Sequence, residues 1–241
     1  MRLSRFFIDA PLSLGQHALP EASAHYIGRV LRLSAGSAVQ LFDGSGAEYR
    51  GELLEVGKKS VSVELHERLT GMPESPLRIH LGQGLSRGER MDWAIQKATE
   101  LGVSEITPLI SERCEVRLND ERADKRLAHW RQIAISACEQ CGRSVLPLIH
   151  APLELAAWLQ QVEADLKLVL HPIAAPLQSH DKPNSLAFLV GPEGGLSEAE
   201  VDQAKAAGFH AARLGPRVLR TETAPVVALS VAQQLWGDLQ A

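Results

Sequence analysis

The 241-residue sequence has no apolar run approaching the ~18 residues that a membrane-spanning helix requires. Its first residues, Met1-Arg2-Leu3-Ser4-Arg5-Phe6-Phe7-Ile8-Asp9, lack the apolar stretch of a secretory signal, so a cytoplasmic protein is expected. Cysteine is scarce. Cys114, Cys138 and Cys141 are an odd number, and a reducing compartment gives no basis for a disulfide framework. Aromatic residues make up only 5%, so the core must be built from Leu, Val, Ile and Ala. There is no excess of positive charge. The formal net charge of −4 argues against a protein that coats nucleic acid indiscriminately, although it leaves room for a local basic patch. Internal repeats and low-complexity tracts are also missing.

What is present suits a globular protein of one large or two modest domains: 45% apolar and 22% charged residues. In the first 32 residues Arg2, Arg5, Arg29 and Arg32 face only Asp9 and Glu21, while Glu48, Glu52, Glu55, Glu64 and Glu67 come later. A basic face on a small module is the natural reading. Ser37–Phe42 and Ser60–Leu65 alternate apolar and polar residues like half-buried strands, with a turn signal at Asp43-Gly44-Ser45-Gly46. Glu21–Arg32 reads as a short helix with Tyr26, Val30 and Ile27 inward. Thr70–Pro76 carries two prolines and a glycine without periodicity, which places a boundary between 1–72 and 73–241.

Beyond it the rhythm is strand–helix–strand. Leu77–Leu81, Val103–Ile110, Leu166–Leu170, Leu186–Val190 and Ala211–Leu214 read as strands. Glu89–Leu101, Asn119–Cys138, Ser197–Ala207 and Thr223–Leu239 read as helices. Gly102 suits a helix end, and Ser197-Glu198-Ala199-Glu200 is a capping box. An α/β domain with a mainly parallel sheet follows.

Several segments carry chemistry. Gly82-Gln83-Gly84-Leu85-Ser86-Arg87-Gly88 lies between a strand and a helix, but its GxGxxxG spacing differs from the dinucleotide fingerprint. It reads either as a cofactor loop of an oxidoreductase or as a plain loop carrying Arg87 and Arg90. Cys138-Glu139-Gln140-Cys141 is a CxxC at the end of a helix, with no second pair to complete a zinc set. Structural cysteines are expected, and no metal ligand set is assigned. His171-Pro172 ends a buried strand, where ligands bind in α/β sheets; a histidine satisfied by a neighbour is the other reading.

The sharpest signal is Leu189-Val190-Gly191-Pro192-Glu193-Gly194-Gly195-Leu196-Ser197, a strand running into a glycine-rich turn and a capped helix. It is not a P-loop, since GxxxxGK[ST] is absent. The second is Leu214-Gly215-Pro216-Arg217-Val218-Leu219-Arg220-Thr221-Glu222-Thr223-Ala224-Pro225. A threonine cap and a dipole-complementing Glu222 account for part of it. They do not account for Arg217 and Arg220, cations that oppose the dipole of a helix N-terminus.

In these two segments, together with Lys97–Ile106 (KATELGVSEI) and Glu139–Arg143 (EQCGR), the sequence resembles the bacterial 16S rRNA (uracil-N3) methyltransferases of the SPOUT superfamily. The resemblance spans essentially the whole chain. It implies an N-terminal PUA-like barrel for RNA binding over 1–72. It also implies an α/β methyltransferase domain over 73–241 whose chain forms a deep trefoil knot, a topology that periodicity could not reveal. It implies S-adenosylmethionine as cofactor, held by Leu170, His171, Gly191, Glu193, Gly194, Leu214, Gly215, Arg217, Leu219 and Thr221. Homodimers are implied, as is 16S rRNA within the small ribosomal subunit as substrate. Neither Cys138 nor Cys141 is required by the family pattern, which supports the structural reading of the CxxC.

For the implied reaction, N3 of uracil must lose a proton to become nucleophilic. Arg220 is the candidate for stabilising the uracil anion, and Glu222 the candidate base. Glu193 is a candidate partner for the sulfonium or ribose. Both carboxylates read equally as structural acids at helix N-termini. Arg2, Arg5, Arg29 and Arg32 are candidate phosphate contacts, with Arg87, Arg113 and Arg143 nearer the pocket. The competing reading is a non-enzymatic RNA-binding protein with a vestigial pocket, and eroded glycines would be its mark.

Overall fold

The computed structural model describes residues 3–57, 60–116, 119–174 and 181–240, without the side chains of Arg29 and Asp120. The chain divides into two compact units, Met1–Glu74 with Cys138–Leu146, and Ser75–Ala137 with Pro147–Ala241. Among the described residues no helix is long and apolar enough to cross a membrane.

The first unit contains β1 (Ser4–Phe7), β2 (Gly15–Ala18), α1 (Glu21–His25), β3 (Ala38–Phe42), β4 (Ala47–Val56) and β5 (Val61–Thr70). They form a sheet in the order β1-β3-β4-β5-β2, with β1 parallel to β3 and the remaining pairs antiparallel. Val39, Leu41, Leu53, Val63 and Leu65 meet Ile8 and Ile27 in its core. The helix departs from its expected face. Tyr26–Val30 is a π-helical turn closed by the Leu31 N–H on Tyr26 O, 3.1 Å. This wider turn rotates the residues that follow it. Ala24 and Ile27 are buried while Tyr26 and Val30, expected inward, are exposed.

Two arginines expected to meet RNA are instead internal to this unit. The Arg5 guanidinium donates to Glu48 Oε1 (2.6 Å) and to the carbonyls of Cys138 and Arg143 (both 2.7 Å), and lies 3.9 Å over the Phe42 ring. Arg143, also buried, pairs with Glu74. A phosphate contact would break these pairs, leaving the buried Glu48 without its partner and drawing Arg143 out of its buried position, so both arginines are structural. Cys138 is buried near the end of its helix, and burial pushes its thiol up to about 12, which suits the structural reading of the CxxC.

The second unit contains β6 (Arg78–Gly84), α2 (Glu89–Glu100), β7 (Glu105–Ile110), α3 (Asp120–Cys141) apart from its last turn, which from Cys138 on belongs to the first unit, β8 (Leu148–Ile149), β9 (Leu153–Glu154), α4 (Leu155–Gln161), β10 (Leu166–Leu170), β11 (Ser185–Val190), α5 (Glu198–Ala206), β12 (His210–Ala212) and α6 (Thr223–Trp236). All its strand pairs are parallel, in the order β12-β10-β11-β6-β7-β8, with β9 also on β7. Both faces are covered, which explains the unbroken apolar runs. Because side chains alternate along a strand, Leu186, Phe188 and Val190 enter one core with Met91, Ile95, Trp130 and Leu229. Ala187 and Leu189 enter the other with Trp158, Leu159, Val201 and Phe209. The capping box forms as read: Ser197 Oγ accepts from Glu200 N (3.3 Å), and Glu200 Oε2 accepts from Ser197 N (2.8 Å). Gly102 ends α2 at φ 77°.

Burial works against ionisation of Glu48, but hydrogen bonds from Ser144, Arg5 and Gln40 and the charge of Arg5 outweigh it, holding the carboxyl below its ordinary value of 4.5. A depressed carboxylate stabilises the fold fully above that value and loses its contribution as pH falls through the folded-state value. Glu48→Gln should therefore cost about 3 kcal/mol at neutral pH, by leaving Arg5 buried and unpaired. The difference from the parent should shrink below about pH 4.5. Denaturant midpoints measured from pH 7 to pH 3 check this; a constant difference would refute it.

Candidate active site

Three neighbouring strands, β12, β10 and β11, end side by side, and their carboxyl ends open into one cavity of about 630 Å³. Ligands in open α/β sheets bind at such ends. The first loop supplies Leu170, His171 and Pro172, the second Gly191, Pro192, Glu193, Gly195 and Leu196. The third supplies Leu214, Gly215, Arg217, Val218, Leu219, Arg220, Thr221 and Glu222. The His171 N–H donates to Ala212 O (2.9 Å), joining the first and third loops at their roots. The Gly195 N–H donates to Pro192 O (2.8 Å), closing the second loop into a turn.

The side chain that ties the loops together is Thr221. Its hydroxyl donates to Gly191 O (2.8 Å), accepts from Gln83 Nε2 (3.0 Å) and lies 3.3 Å from Ser86 Oγ. Thr221, Gln83 and Ser86 are all buried. Thr221 is therefore not a helix cap. The first turn of α6 is closed by backbone alone, with Thr223 N and Ala224 N each 2.9 Å from Arg220 O. The glycines of β6 serve this packing. A Cβ on Gly84 would stand 2.4 Å from Pro192 N, and one on Gly82 would strike the Trp158 ring. Neither is open to a pyrophosphate, which removes the oxidoreductase reading of this loop.

Charge at the cavity is uneven. Arg90, Arg113, Arg213, Arg217 and Arg220 line it, against Glu193 and Glu222. Glu193 Oε1 accepts from Arg87 N (3.0 Å) and Arg90 Nη1 (2.9 Å). Although burial opposes ionisation, these donors hold its carboxyl below the ordinary range, so it anchors the glycine turn to the start of α2. Arg113 Nη1 lies 3.4 Å from both Gly194 O and Leu196 O. Arg213, Arg217 and Arg220 have no ion pair among the described residues. Glu222 Oε2 and Gln83 Oε1 are buried without a hydrogen-bond partner among the described residues. Of the two, Glu222 lines the cavity, where a buried oxygen without a partner fits a hydrogen-bond donor on a bound molecule.

Of the residues singled out in the sequence, Leu170, His171, Gly191, Glu193, Leu214, Gly215, Arg217, Leu219, Arg220, Thr221, Glu222 and Arg113 come together around this cavity. Gly194 sits in the same turn, with its carbonyl toward Arg113. Arg87 pairs through its side chain with Glu115 (2.8 Å), and Arg32 is exposed at φ 54°. Arg2 and the Arg29 side chain lie outside the described residues. Gln83, Ser86 and Arg213 were missed. Gln83 carried one signal, a polar residue inside an apolar strand.

The fold and site define a two-unit protein whose α/β unit presents a cationic, nucleoside-sized pocket at the carboxyl ends of a parallel sheet. Residues 73–233 match the RNA methyltransferase domain family, and residues 19–65 match the RNA methyltransferase PUA domain. The chain is 36% identical to the ribosomal RNA small subunit methyltransferase E of Buchnera aphidicola (Schizaphis graminum strain), covering 99% of this chain and 98% of that protein. A Legionella pneumophila protein solved with the bound cofactor SAM superposes with a TM-score of 0.96 at 40% identity, covering 99% and 100% of the two chains. The ribosomal RNA small subunit methyltransferase E of Neisseria gonorrhoeae, solved bound to S-adenosylmethionine, gives a TM-score of 0.92 at 41% identity, covering 99% and 100%. This chain belongs to the RNA methyltransferase family.

The contact of Gly84 with the 191–192 backbone makes a clear prediction. Gly84→Ala should destabilise the protein by about 2 kcal/mol or more, since the nearest atoms are backbone and cannot turn aside. Gly88→Ala, where a Cβ meets nothing within 4 Å but φ is 55°, should cost about 1 kcal/mol. Thermal unfolding of the two variants checks the order; equal effects would contradict the close approach.

Proposed function

We propose that the protein methylates N3 of a uridine in the 16S rRNA of the small ribosomal subunit, using S-adenosylmethionine. The observation that carries the proposal is the carboxyl-end cavity. Its volume suits a nucleoside cofactor, its wall carries Glu222 with an oxygen that has no partner among the described residues, and Arg213, Arg217 and Arg220 line it without an ion pair among those residues. The likeness to methyltransferases over nearly the whole chain supports the same reading. The glycine turn keeps its close contacts, which speaks against a vestigial pocket.

Bound S-adenosylmethionine supplies an electrophilic methyl group on a sulfonium. The protein's part is to place the uracil and manage its charge. Arg220 is set to stabilise negative charge at a uracil carbonyl, with Arg213 and Arg217 beside it at the cavity wall. Glu222, with one oxygen unengaged, is the group that takes the N3 proton. Glu193 is occupied by Arg90 and Arg87, so it holds the turn rather than reaching the reacting atoms. The loops that carry Leu170, Gly191 and Leu214 form a trefoil knot in this reading, and two copies of the chain pair as a homodimer. Residues 1–72 form a PUA-like barrel that binds RNA, with Arg2, Arg29 and Arg32 on phosphates and Arg87 and Arg113 nearer the target base. That base leaves its stack to react. The protein works in the cytoplasm.

Mass mapping of small-subunit rRNA from cells with and without this protein should show one N3-methyluridine that disappears; identical maps would overturn the proposal. In single turnover, Glu222→Gln should lower the methylation rate by about 10²-fold or more with cofactor affinity nearly unchanged. An unaltered rate would remove Glu222 as the base.

A further inference from the structure

Away from the cofactor-sized cavity, three side chains with metal-binding chemistry meet on one face of the sheet. His80 lies in β6 and is the register partner of Glu105, the first residue of β7. Glu105 is in turn the register partner of Leu148 in β8. His150, two residues beyond Leu148, therefore shares that face. Adjacent parallel strands thus deliver two imidazoles and a carboxylate, from positions 25 and 45 residues apart in sequence, to one point.

The geometry is compact. His150 Nε2 lies 2.9 Å from Glu105 Oε2, and His80 Nδ1 lies 3.9 Å from the same oxygen. The imidazole rings stack with centroids 5.4 Å apart and 25° between their planes. One donor atom from each of the three residues falls within 4.8 Å of the others. Bonds of about 2.0–2.1 Å around a tetrahedral zinc put ligand atoms about 3.3 Å apart, so shifts of about an ångström complete the arrangement. Arg78 Nη2, 3.3 Å from Glu105 Oε1, leaves Oε2 as the oxygen turned to both histidines. His80 has an outer partner as well, with Thr107 Oγ1 2.8 Å from its Nε2. Ligating histidines characteristically use the second ring nitrogen in this way. A cavity of about 510 Å³, lined by His80, Glu105, Glu163 and Asp165 among others, opens the cluster to solvent.

We infer that His80, Glu105 and His150 form a binding site for a zinc-class divalent cation. Two nitrogens and one carboxylate oxygen match the borderline softness of zinc rather than the all-oxygen preference of magnesium or calcium. Three protein ligands leave further positions to water. Binding through Nδ1 moves the His80 ring proton to Nε2, where Thr107 Oγ1 accepts it. The indole N–H of Trp158, which donates to that nitrogen across 3.3 Å, then loses its acceptor. The ion would pin the segment after β8 to β6 and β7, a crosslink through the N-terminal half of the sheet.

The test uses the full-length protein stripped with chelator and then loaded with Zn²⁺ alone. Metal analysis after gel filtration should find one zinc per chain. His150→Ala and Glu105→Gln should each weaken binding by about 100-fold or more, and Thr107→Val by about 10-fold. His129→Ala, which removes a separate histidine–carboxylate pair, with Asp92, should leave binding unchanged. Co²⁺ in place of zinc should give the visible absorption of a nitrogen- and oxygen-ligated site in the parent, a readout that does not depend on any variant folding. Retention of no zinc, a Co²⁺ spectrum of the hydrated ion, or binding that survives both His150→Ala and Glu105→Gln would each overturn the site.

Discussion

The hydroxyl of Thr221 occupies the point where three pieces of chain must agree. Its bond to the Gly191 carbonyl fixes the glycine turn against the approach to α6, and its contacts with Gln83 and Ser86 fix both against the end of β6. These groups are buried, so each bond stands in for water that cannot reach it, and losing one leaves an unpaired polar atom. The cavity is therefore shaped by a small polar network inside an otherwise apolar unit. Gly84 completes the constraint from the backbone side, since only a residue without Cβ lets β6 approach Pro192 so closely. The position of Arg220 and Glu222, next to Thr221 in the chain, follows from where this network places the start of α6.

The parallel sheet makes that network possible. With helices on both faces, successive residues of β11 are divided between two cores, and the strand is held rigidly along its whole length. The polar groups that line the cavity lie at the strand ends. At the carboxyl ends the backbone turns through glycine and proline, and the cationic residues gather there. Their charges oppose the dipole at the start of α6, a local cost that an anionic group bound there would offset. In the other half of the sheet, His80, Glu105 and His150 show the same logic with a different outcome: strand register, rather than loop packing, brings chemistry together.

Much of this was readable from local sequence. The capping box at Ser197, the end of α2 at Gly102 and the two glycine-proline segments after β11 and β12 depend on neighbours within a few residues, which sequence displays directly. What escaped was set by partners far along the chain. Arg5 and Arg143 read as surface cations until Glu48 and Glu74, distant in sequence, closed on them. Tyr26 and Val30 read as inward because α-helical spacing was assumed, and the π-helical turn shifted the face. Gly82 and Gly84 left a cofactor loop open beside the plain-loop reading, and Trp158 and Pro192, which occupy the space their missing side chains leave, close it. Thr221 stood among the cofactor-pocket residues, with Thr221 or Thr223 as a helix cap the plainer reading, and only the spatial approach of Gln83 and Gly191 shows what its hydroxyl does. The short strands β8 and β9 are too brief to leave a periodic trace.

The Thr221 network shapes the cavity proposed to hold S-adenosylmethionine. Equilibrium titration of the purified protein with S-adenosylmethionine, beside Thr221→Val, tests it most directly. The account predicts saturable one-to-one binding by the parent and affinity reduced by about 10-fold or more in the variant, with Thr221→Ser restoring most of it. Absence of binding by the parent, or equal affinity for all three proteins, would contradict it.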